Sequence, residues 1–136
     1  SLYQILNNKN FLKIYIAMRY NYPRASDVLE EIIKENFDEV LLLPLYPHFS
    51  TTTTGSSVDE FLYLSKKMGF TGSIRANCCY YDYNYFIRSY VDLIKKEIKS
   101  LDISNFRILF SAHGLPISVI EKGDPYQWQV EYSCKK

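Results

Sequence analysis

The sequence predicts an α/β fold built on a parallel β-sheet, and three observations support this prediction. Short apolar runs of strand length alternate with segments in which apolar residues recur at helical spacing. Each apolar run ends at a loop rich in polar, glycine or proline residues. The hydrophobic share is 47% over 136 residues, which suffices for the core of roughly one domain. Strands that alternate with helices pair in parallel through right-handed crossovers.

The first half of the chain contains two predicted strand–helix pairs. A strand over residues 14–18 is followed by a helix that starts near Asp27 and ends at Asn36 in a left-handed conformation. A second strand over residues 39–43 leads into a loop of threonines and serines. The capping-box pattern that starts at Ser57 then predicts the start of the next helix, which ends at Gly69.

The second half continues the alternation. We predict a strand over residues 73–78, a helix over 85–99 and a fourth strand over 106–110. The fourth strand stops abruptly before His113, and Asp124 caps a final helix that has proline at its first position.

The loops that follow the strands hold the chemically capable side chains. The carboxyl ends of parallel strands share one edge of a sheet, where ligands bind in α/β proteins. Arg19, His113 and several tyrosines fall in these loops, whereas the loops at the opposite edge carry no such groups. This asymmetry favours a functional role for His113 over a histidine that merely hydrogen-bonds a turn.

Several classes of function are disfavoured by composition. The formal net charge is +1 and there is no basic run, so nucleic acid is not an expected partner. The three cysteines form no C-x-x-C pair, which argues against a zinc site. No apolar segment approaches the roughly 18 residues of a membrane-spanning helix.

Three kinds of site can be judged from the residues alone. The hydroxyl-rich loop before a helix could bind phosphate, but both the P-loop and the Gly-x-Gly-x-x-Gly patterns are absent. Ser111 lies two residues from His113 but in no Gly-x-Ser-x-Gly elbow, so a serine hydrolase is disfavoured. His113 is one good metal ligand, and a second ligand near it is not evident in this chain.

Four motifs together resemble the ferrochelatase family. They occur in that family's order and spacing and cover most of the chain: Arg19-Tyr20, residues 43–50 with 53–57, residues 110–116, and residues 121–126. The resemblance implies a chelatase-like fold of two Rossmann-like halves with a porphyrin cleft between them. Residues 1–101 would then be the later part of the first half, and 102–136 the opening strand and helix of the second.

The resemblance also implies an activity, the insertion of Fe²⁺ into protoporphyrin IX to form protohaem. His113 would be the catalytic residue, either as acceptor of pyrrole protons or as ligand of the metal. Arg19 would pair with a propionate, and tyrosines would press on the macrocycle. The implied substrate-binding residues are Arg19, Tyr20, Tyr46, Ser50, Thr54 and Ser56.

The same resemblance sets expectations for cofactors, location and completeness. No cofactor is expected besides the substrate Fe²⁺, and Thr51 stands where some members have a cysteine ligand of an iron–sulfur cluster. His48 and Gln127 also depart from residues common in the family. The implied location is the cytoplasm, with peripheral association with the inner membrane left open, as is the oligomeric state. The family's glutamate that faces the histidine is expected outside this chain.

Two alternatives remain open at this point. One is a cobalt chelatase of the same fold. The other is a non-catalytic fragment of a split or truncated chelatase gene that at most binds tetrapyrrole.

Overall fold

The computed structural model of the chain describes residues 12–101 and 105–136. The elements in order are α1 (Ala25–Lys34), β1 (Glu39–Leu42), a π-helical turn (Thr51–Gly55), α2 (Ser56–Lys67), β2 (Ser73–Ala76), α3 (Asn84–Leu101), α4 (Ile117–Glu121) and α5 (Tyr126–Lys135). Strands β1 and β2 form a small parallel sheet, which confirms the α/β class. No helix among the described residues combines the length and the apolar character needed to cross a membrane.

The chain divides into two compact units. The first consists of the described residues up to Leu42 together with residues 57–75, and the second consists of residues 43–56 together with 76–136. The predicted assignment of 1–101 and 102–136 to two halves of a larger fold concerns a different division and stays a prediction.

The first unit has an apolar core centred on one face of α1. Val28, Leu29 and Ile32 recur at helical spacing and are buried, and Phe61 of α2 is buried with them. The sheet contributes the partly buried Val40, Leu42 and Ile74, and Phe37, just before β1, packs against the same core. Burial of this apolar face is the main reason why the segment forms a stable helix.

Both ends of α1 follow from local chemistry. The carboxylate of Asp27 accepts a hydrogen bond of 2.9 Å from the backbone N–H of Arg24, so Asp27 lies in the first turn. The helix starts at Ala25, slightly before the predicted position. Asn36 has φ of 55°, which confirms the predicted left-handed end of the helix.

Two of the four predicted strands do not form in the described structure. Met18 makes only an isolated bridge with Arg24, and residues 106–110 are irregular, with Leu109 90% exposed. A strand needs a neighbour whose backbone groups complete the ladder, and an apolar run alone does not provide one. Within residues 12–101 and 105–136, neither segment has such a partner along its length, so these two predictions are wrong for this chain.

The start of the second helix also differs from the prediction. Residues 51–55 were expected to be a loop before a capping box at Ser57, but they are helical and run directly into α2. Ser50 is the N-cap of this helical run. A helix can begin at these threonines because Ser50 and a carboxylate described below accept hydrogen bonds from the backbone N–H groups of its first turn.

Candidate functional site

The loops that leave β1 and β2 meet within the second unit. The backbone N–H of Tyr80 donates to the carbonyl oxygen of Pro47 at 2.9 Å. This contact is what parallel strands predict, since their carboxyl ends lie at the same edge. It brings the two loops into contact, segment 44–50 after β1 and segment 77–83 after β2.

The segment after β1 ends in a π-helical turn. Gly55 N–H donates to the carbonyl of Ser50 at 3.0 Å, which is the i to i+5 hydrogen bond of a π-helix. The Ser50 hydroxyl accepts from the N–H of Thr52 at 3.1 Å, as an N-cap serine does. Single π-helical turns are rare and occur frequently at functional sites, so this turn is a candidate site element.

The carboxylate of Asp124 holds the start of this turn. Its Oδ2 accepts from the Thr51 N–H at 2.7 Å, from the Thr51 hydroxyl at 2.7 Å and from the Ser50 hydroxyl at 3.0 Å. Its Oδ1 accepts from the N–H of Tyr126 at 3.0 Å in the first turn of α5. One side chain therefore caps two helices, and we call Ser50, Thr51 and Asp124 the carboxylate clamp.

The clamp stabilises Asp124 as an anion. Burial acts to raise the pKa of this carboxyl, but hydrogen bonds from Thr51, Tyr126 and Ser50 outweigh it and hold the pKa below its ordinary value. A negative charge at a helix N-terminus is also favoured by the helix dipole. The anion position that suggested a phosphate site is thus filled by the protein's own carboxylate.

The interior of the second unit is polar. Among its described residues, those that are buried are Ser50, Thr54, Asp124 and Gln129, whereas the buried apolar residues of the described chain lie in the first unit. Buried polar side chains cost free energy unless they are hydrogen-bonded. Asp124 and Ser50 satisfy each other, but the hydroxyl of Thr54 has no hydrogen-bond partner among the described residues.

A second polar chain leads from His48 to α5. Its Nε2 lies 2.9 Å from the hydroxyl of Ser133, which donates at 2.7 Å to the carbonyl of Tyr81. The Ser133 hydroxyl also lies 3.1 Å from the carbonyl oxygen of Gln129, so Ser133 joins His48 to two backbone carbonyls. The rings of Phe86 and Tyr126 pack edge-on against the imidazole. Burial lowers the pKa of His48, so the neutral form is favoured.

This arrangement predicts a pH dependence of stability. A histidine whose pKa is lowered by folding binds its proton more readily in the unfolded chain. Its contribution to the free energy of unfolding is therefore complete above its unfolded pKa and is lost as pH falls. We expect the urea concentration at the unfolding midpoint of the second unit to decrease as pH is lowered from about 8 to about 5.5, and to decrease less in His48→Gln. Fluorescence of Trp128, the single tryptophan, reports on this unit. An equal fall in both proteins would contradict the assignment to His48.

His113 lies in an exposed, irregular segment of the second unit. An open depression of about 520 Å³ lies beside this segment, lined by Phe110, Ala112, Val130, Glu131, Cys134 and Lys135. Among the described residues, no group of three or more His, Cys, Asp or Glu side chains could hold a metal ion. If His113 binds a metal ion, the described residues therefore do not supply a cluster of further His, Cys, Asp or Glu ligands.

Arg19 and Tyr20 belong to the first unit. Arg19 Nη1 lies 2.9 Å from Oε1 of Glu60, and its guanidinium lies 5.0 Å from the centre of the Tyr20 ring. The same glutamate oxygen lies 3.4 Å from Nη2 of Arg24. Two guanidinium groups thus share one carboxylate. Tyr20 itself is exposed.

The other predicted substrate-binding residues lie in the second unit. Tyr46 is exposed and Ser56 is partly buried at the start of α2. Ser50 and Thr54 are each only 1% exposed. The structure therefore brings Ser50, Thr54 and Ser56 together around the π-helical turn, and direct contact with a substrate stays a prediction for each of them.

Several residues of the site escaped sequence reasoning. Asp124 was interpreted only as a cap of α5, and its hydrogen bonds to Ser50 and Thr51 span more than seventy positions of the chain. Gln129 gives no signal in the sequence, although its buried side-chain oxygen accepts from the N–H of Phe49 at 2.7 Å. A polar residue in the middle of a helix gives no signal of a distant partner. The Gly-Asp-Pro-Tyr motif was the one hint of a special role at Asp124.

Comparison with known proteins gives a consistent result over the whole chain. A protein-family model described as Ferrochelatase matches residues 1–136. The curated ferrochelatase of Rickettsia felis is 49% identical over 127 residues, covering 93% of this chain and 36% of that protein. That of Pelagibacter ubique is 46% identical over 124 residues, covering 91% and 36%, and that of Wolbachia pipientis is 44% identical over 130 residues, covering 95% and 41%. The chain thus spans well under half the length of these relatives.

Proposed function

Because the chain belongs to the ferrochelatase family, we propose that it forms part of an enzyme that inserts Fe²⁺ into protoporphyrin IX. The observation that carries the proposal is the carboxylate clamp. It joins two separate motifs of the family resemblance, the Ser50 segment and the Asp124 segment, through a buried and fully hydrogen-bonded carboxylate. An arrangement of this kind fixes the loop after β1 against α5 within the second unit.

In this proposal His113 performs the proton or metal step. Insertion requires removal of two pyrrole protons and delivery of Fe²⁺ to the ring nitrogens. A neutral imidazole has a lone pair that can accept a proton or bind the metal. The exposure of His113 leaves its ring accessible to a substrate, which both roles require.

The porphyrin itself is proposed to contact the exposed predicted residues. A porphyrin propionate is an anion, and guanidinium groups such as those of Arg19 and Arg24 bind carboxylates through charge-assisted hydrogen bonds. Tyr20 and Tyr46 present exposed rings of the kind that pack on a flat macrocycle.

The buried hydroxyl residues are assigned a supporting role. Ser50 donates to Asp124 and is almost inaccessible, so we propose that it acts by fixing the π-helical turn. Thr54 and Ser56 lie on or directly after that turn. The unpartnered hydroxyl of Thr54 would gain a hydrogen bond if a polar group of the substrate reached it.

The proposal is tested by growth of a bacterium that lacks its own ferrochelatase and depends on added haem. The matched segment of Rickettsia felis ferrochelatase is replaced by this chain, and the gene for the resulting chimera is introduced. We expect growth without added haem. A chimera that accumulates to the normal level and binds porphyrin but does not support growth would favour the non-catalytic alternative.

A further inference from the structure

Two cysteines that the proposed chemistry does not use are adjacent at the exit of β2. Cys78 and Cys79 lie in the irregular segment that follows the strand, and their Sγ atoms are 2.9 Å apart. Cys78 is exposed, whereas Cys79 is partly buried. The two thiols are therefore already oriented towards each other, and the backbone that carries them belongs to neither a strand nor a helix.

Cys79 is connected to the interior of the second unit. Cys79 is partly buried and lies near Gln129, whose side-chain oxygen accepts from Phe49 N–H at 2.7 Å. Burial, together with the hydrogen bond and charge of Cys78, raises the pKa of the Cys79 thiol to about 11. Cys79 is therefore held as a thiol beside an accessible neighbour.

We propose that Cys78 and Cys79 form a redox-modifiable dithiol, which hydroperoxides convert into a vicinal disulfide. The geometry assigns different roles to the two sulfurs. The exposed Cys78 meets the oxidant, and the partly buried Cys79 resolves the product. Such a division between an accessible sulfur and a nearby resolving sulfur is typical of oxidation-sensitive thiols.

The proposed chemistry proceeds in two balanced steps. In the first, the Cys78 sulfur attacks one oxygen of the hydroperoxide, the O–O bond breaks, and a sulfenic acid and water (or an alcohol) form. In the second, the Cys79 sulfur attacks the Cys78 sulfur, and the departing hydroxyl takes the Cys79 proton and leaves as water. Two thiols are oxidised by two electrons and the peroxide is reduced by two. A dithiol reductant restores both thiols by exchange.

The test uses the reduced 136-residue chain, treated with hydrogen peroxide and then with N-ethylmaleimide. We expect the intact mass to fall by two hydrogen atoms before alkylation, with tandem mass spectrometry locating the disulfide at Cys78–Cys79 and the maleimide at Cys134. The matched control Cys134→Ser should lose the same two hydrogen atoms and form the same Cys78–Cys79 disulfide, with no maleimide attached. Oxygen adducts on Cys78 beside an alkylated Cys79, or a disulfide that involves Cys134, would overturn the proposal.

Single variants test the division of roles. Cys79→Ser should accumulate a sulfenic acid at Cys78 that dimedone traps. In Cys78→Ser, Cys79 should react at least about 10-fold more slowly than Cys78 does in Cys79→Ser, because Cys79 is partly buried and burial disfavours its thiolate. In concentrated urea this difference should vanish, since it arises from the fold. Equal oxidation rates for the two folded variants would overturn the assignment.

Discussion

Replacement of His113 by alanine in the Rickettsia felis chimera is expected to lower haem formation by about 10²–10⁴-fold, the usual contribution of one positioned proton-transfer group. Porphyrin affinity should remain nearly unchanged, because binding of the ring is spread over many contacts. The measurement is the initial rate of protohaem formation from Fe²⁺ and protoporphyrin IX, together with a fluorescence titration of porphyrin binding.

The other histidine of the chain provides a matched control. His48 is half-buried and hydrogen-bonds to Ser133, and His48→Gln keeps a side chain that can donate or accept a hydrogen bond. We expect this variant to retain most of its rate. Near-normal turnover in His113→Ala, or an equal loss in both variants, would remove His113 from the proposed role.

Replacement of Asp124 by alanine is expected to cost the second unit about 3 kcal/mol of its free energy of unfolding, as loss of a buried hydrogen-bonded charge does. The change leaves the donors of Ser50, Thr51 and Tyr126 without their acceptor. Urea unfolding of the 136-residue chain, followed by Trp128 fluorescence, measures the loss in the unit that contains the clamp.

Two further variants make this result specific. Asp124→Asn keeps the shape but removes the charge and should lie between wild type and alanine, since charge-assisted hydrogen bonds are the stronger ones. Glu131→Ala removes an exposed carboxylate on α5 and should change stability by at most about 0.5 kcal/mol. If Asp124→Ala were no more destabilised than Glu131→Ala, the clamp would not be a stabilising feature.

The clamp also has a pH signature of its own. Folding lowers the pKa of Asp124. Its contribution to the free energy of unfolding is therefore complete above the unfolded pKa of roughly 4 and is lost as pH falls through the folded pKa. This loss occurs at lower pH than the one expected from His48. Asp124→Asn should lack the acid-side loss while keeping the one due to His48.

The sequence predicted those parts of the fold that depend on local chemistry. The helix of the first unit follows from the spacing of Val28, Leu29 and Ile32, and its end follows from Asn36, which tolerates a positive φ. The two strands that form were identified from their apolar runs. These features need only neighbours in sequence or burial against any apolar surface.

The incorrect predictions all concern features that need a distant partner. Residues 14–18 and 106–110 have strand composition, but among the described residues they lack the neighbouring strand that would complete a ladder. The threonine segment has loop composition, yet Asp124 supplies the acceptor that allows it to be helical from Thr51. Composition alone did not reveal that this carboxylate, far along the chain, would satisfy the first turn.

The candidate site was predictable in its location but not in its internal connections. The meeting of the loops after β1 and β2 follows from parallel topology and is confirmed by the contact of Tyr80 with Pro47. The pairing of Arg19 with Glu60 and the burial of Ser50 depend on tertiary packing. For this reason the family motifs located the site, and the hydrogen bonds explain how part of it is held.

The most direct test of the central claim is the initial rate at which the purified chimera forms protohaem from Fe²⁺ and protoporphyrin IX, beside the unaltered Rickettsia felis enzyme. We predict rates within about tenfold of each other, a difference of at most about 1.4 kcal/mol in activation free energy. A chimera that folds and binds porphyrin with normal affinity, yet forms no protohaem, would contradict the claim that this chain supplies a working part of a ferrochelatase.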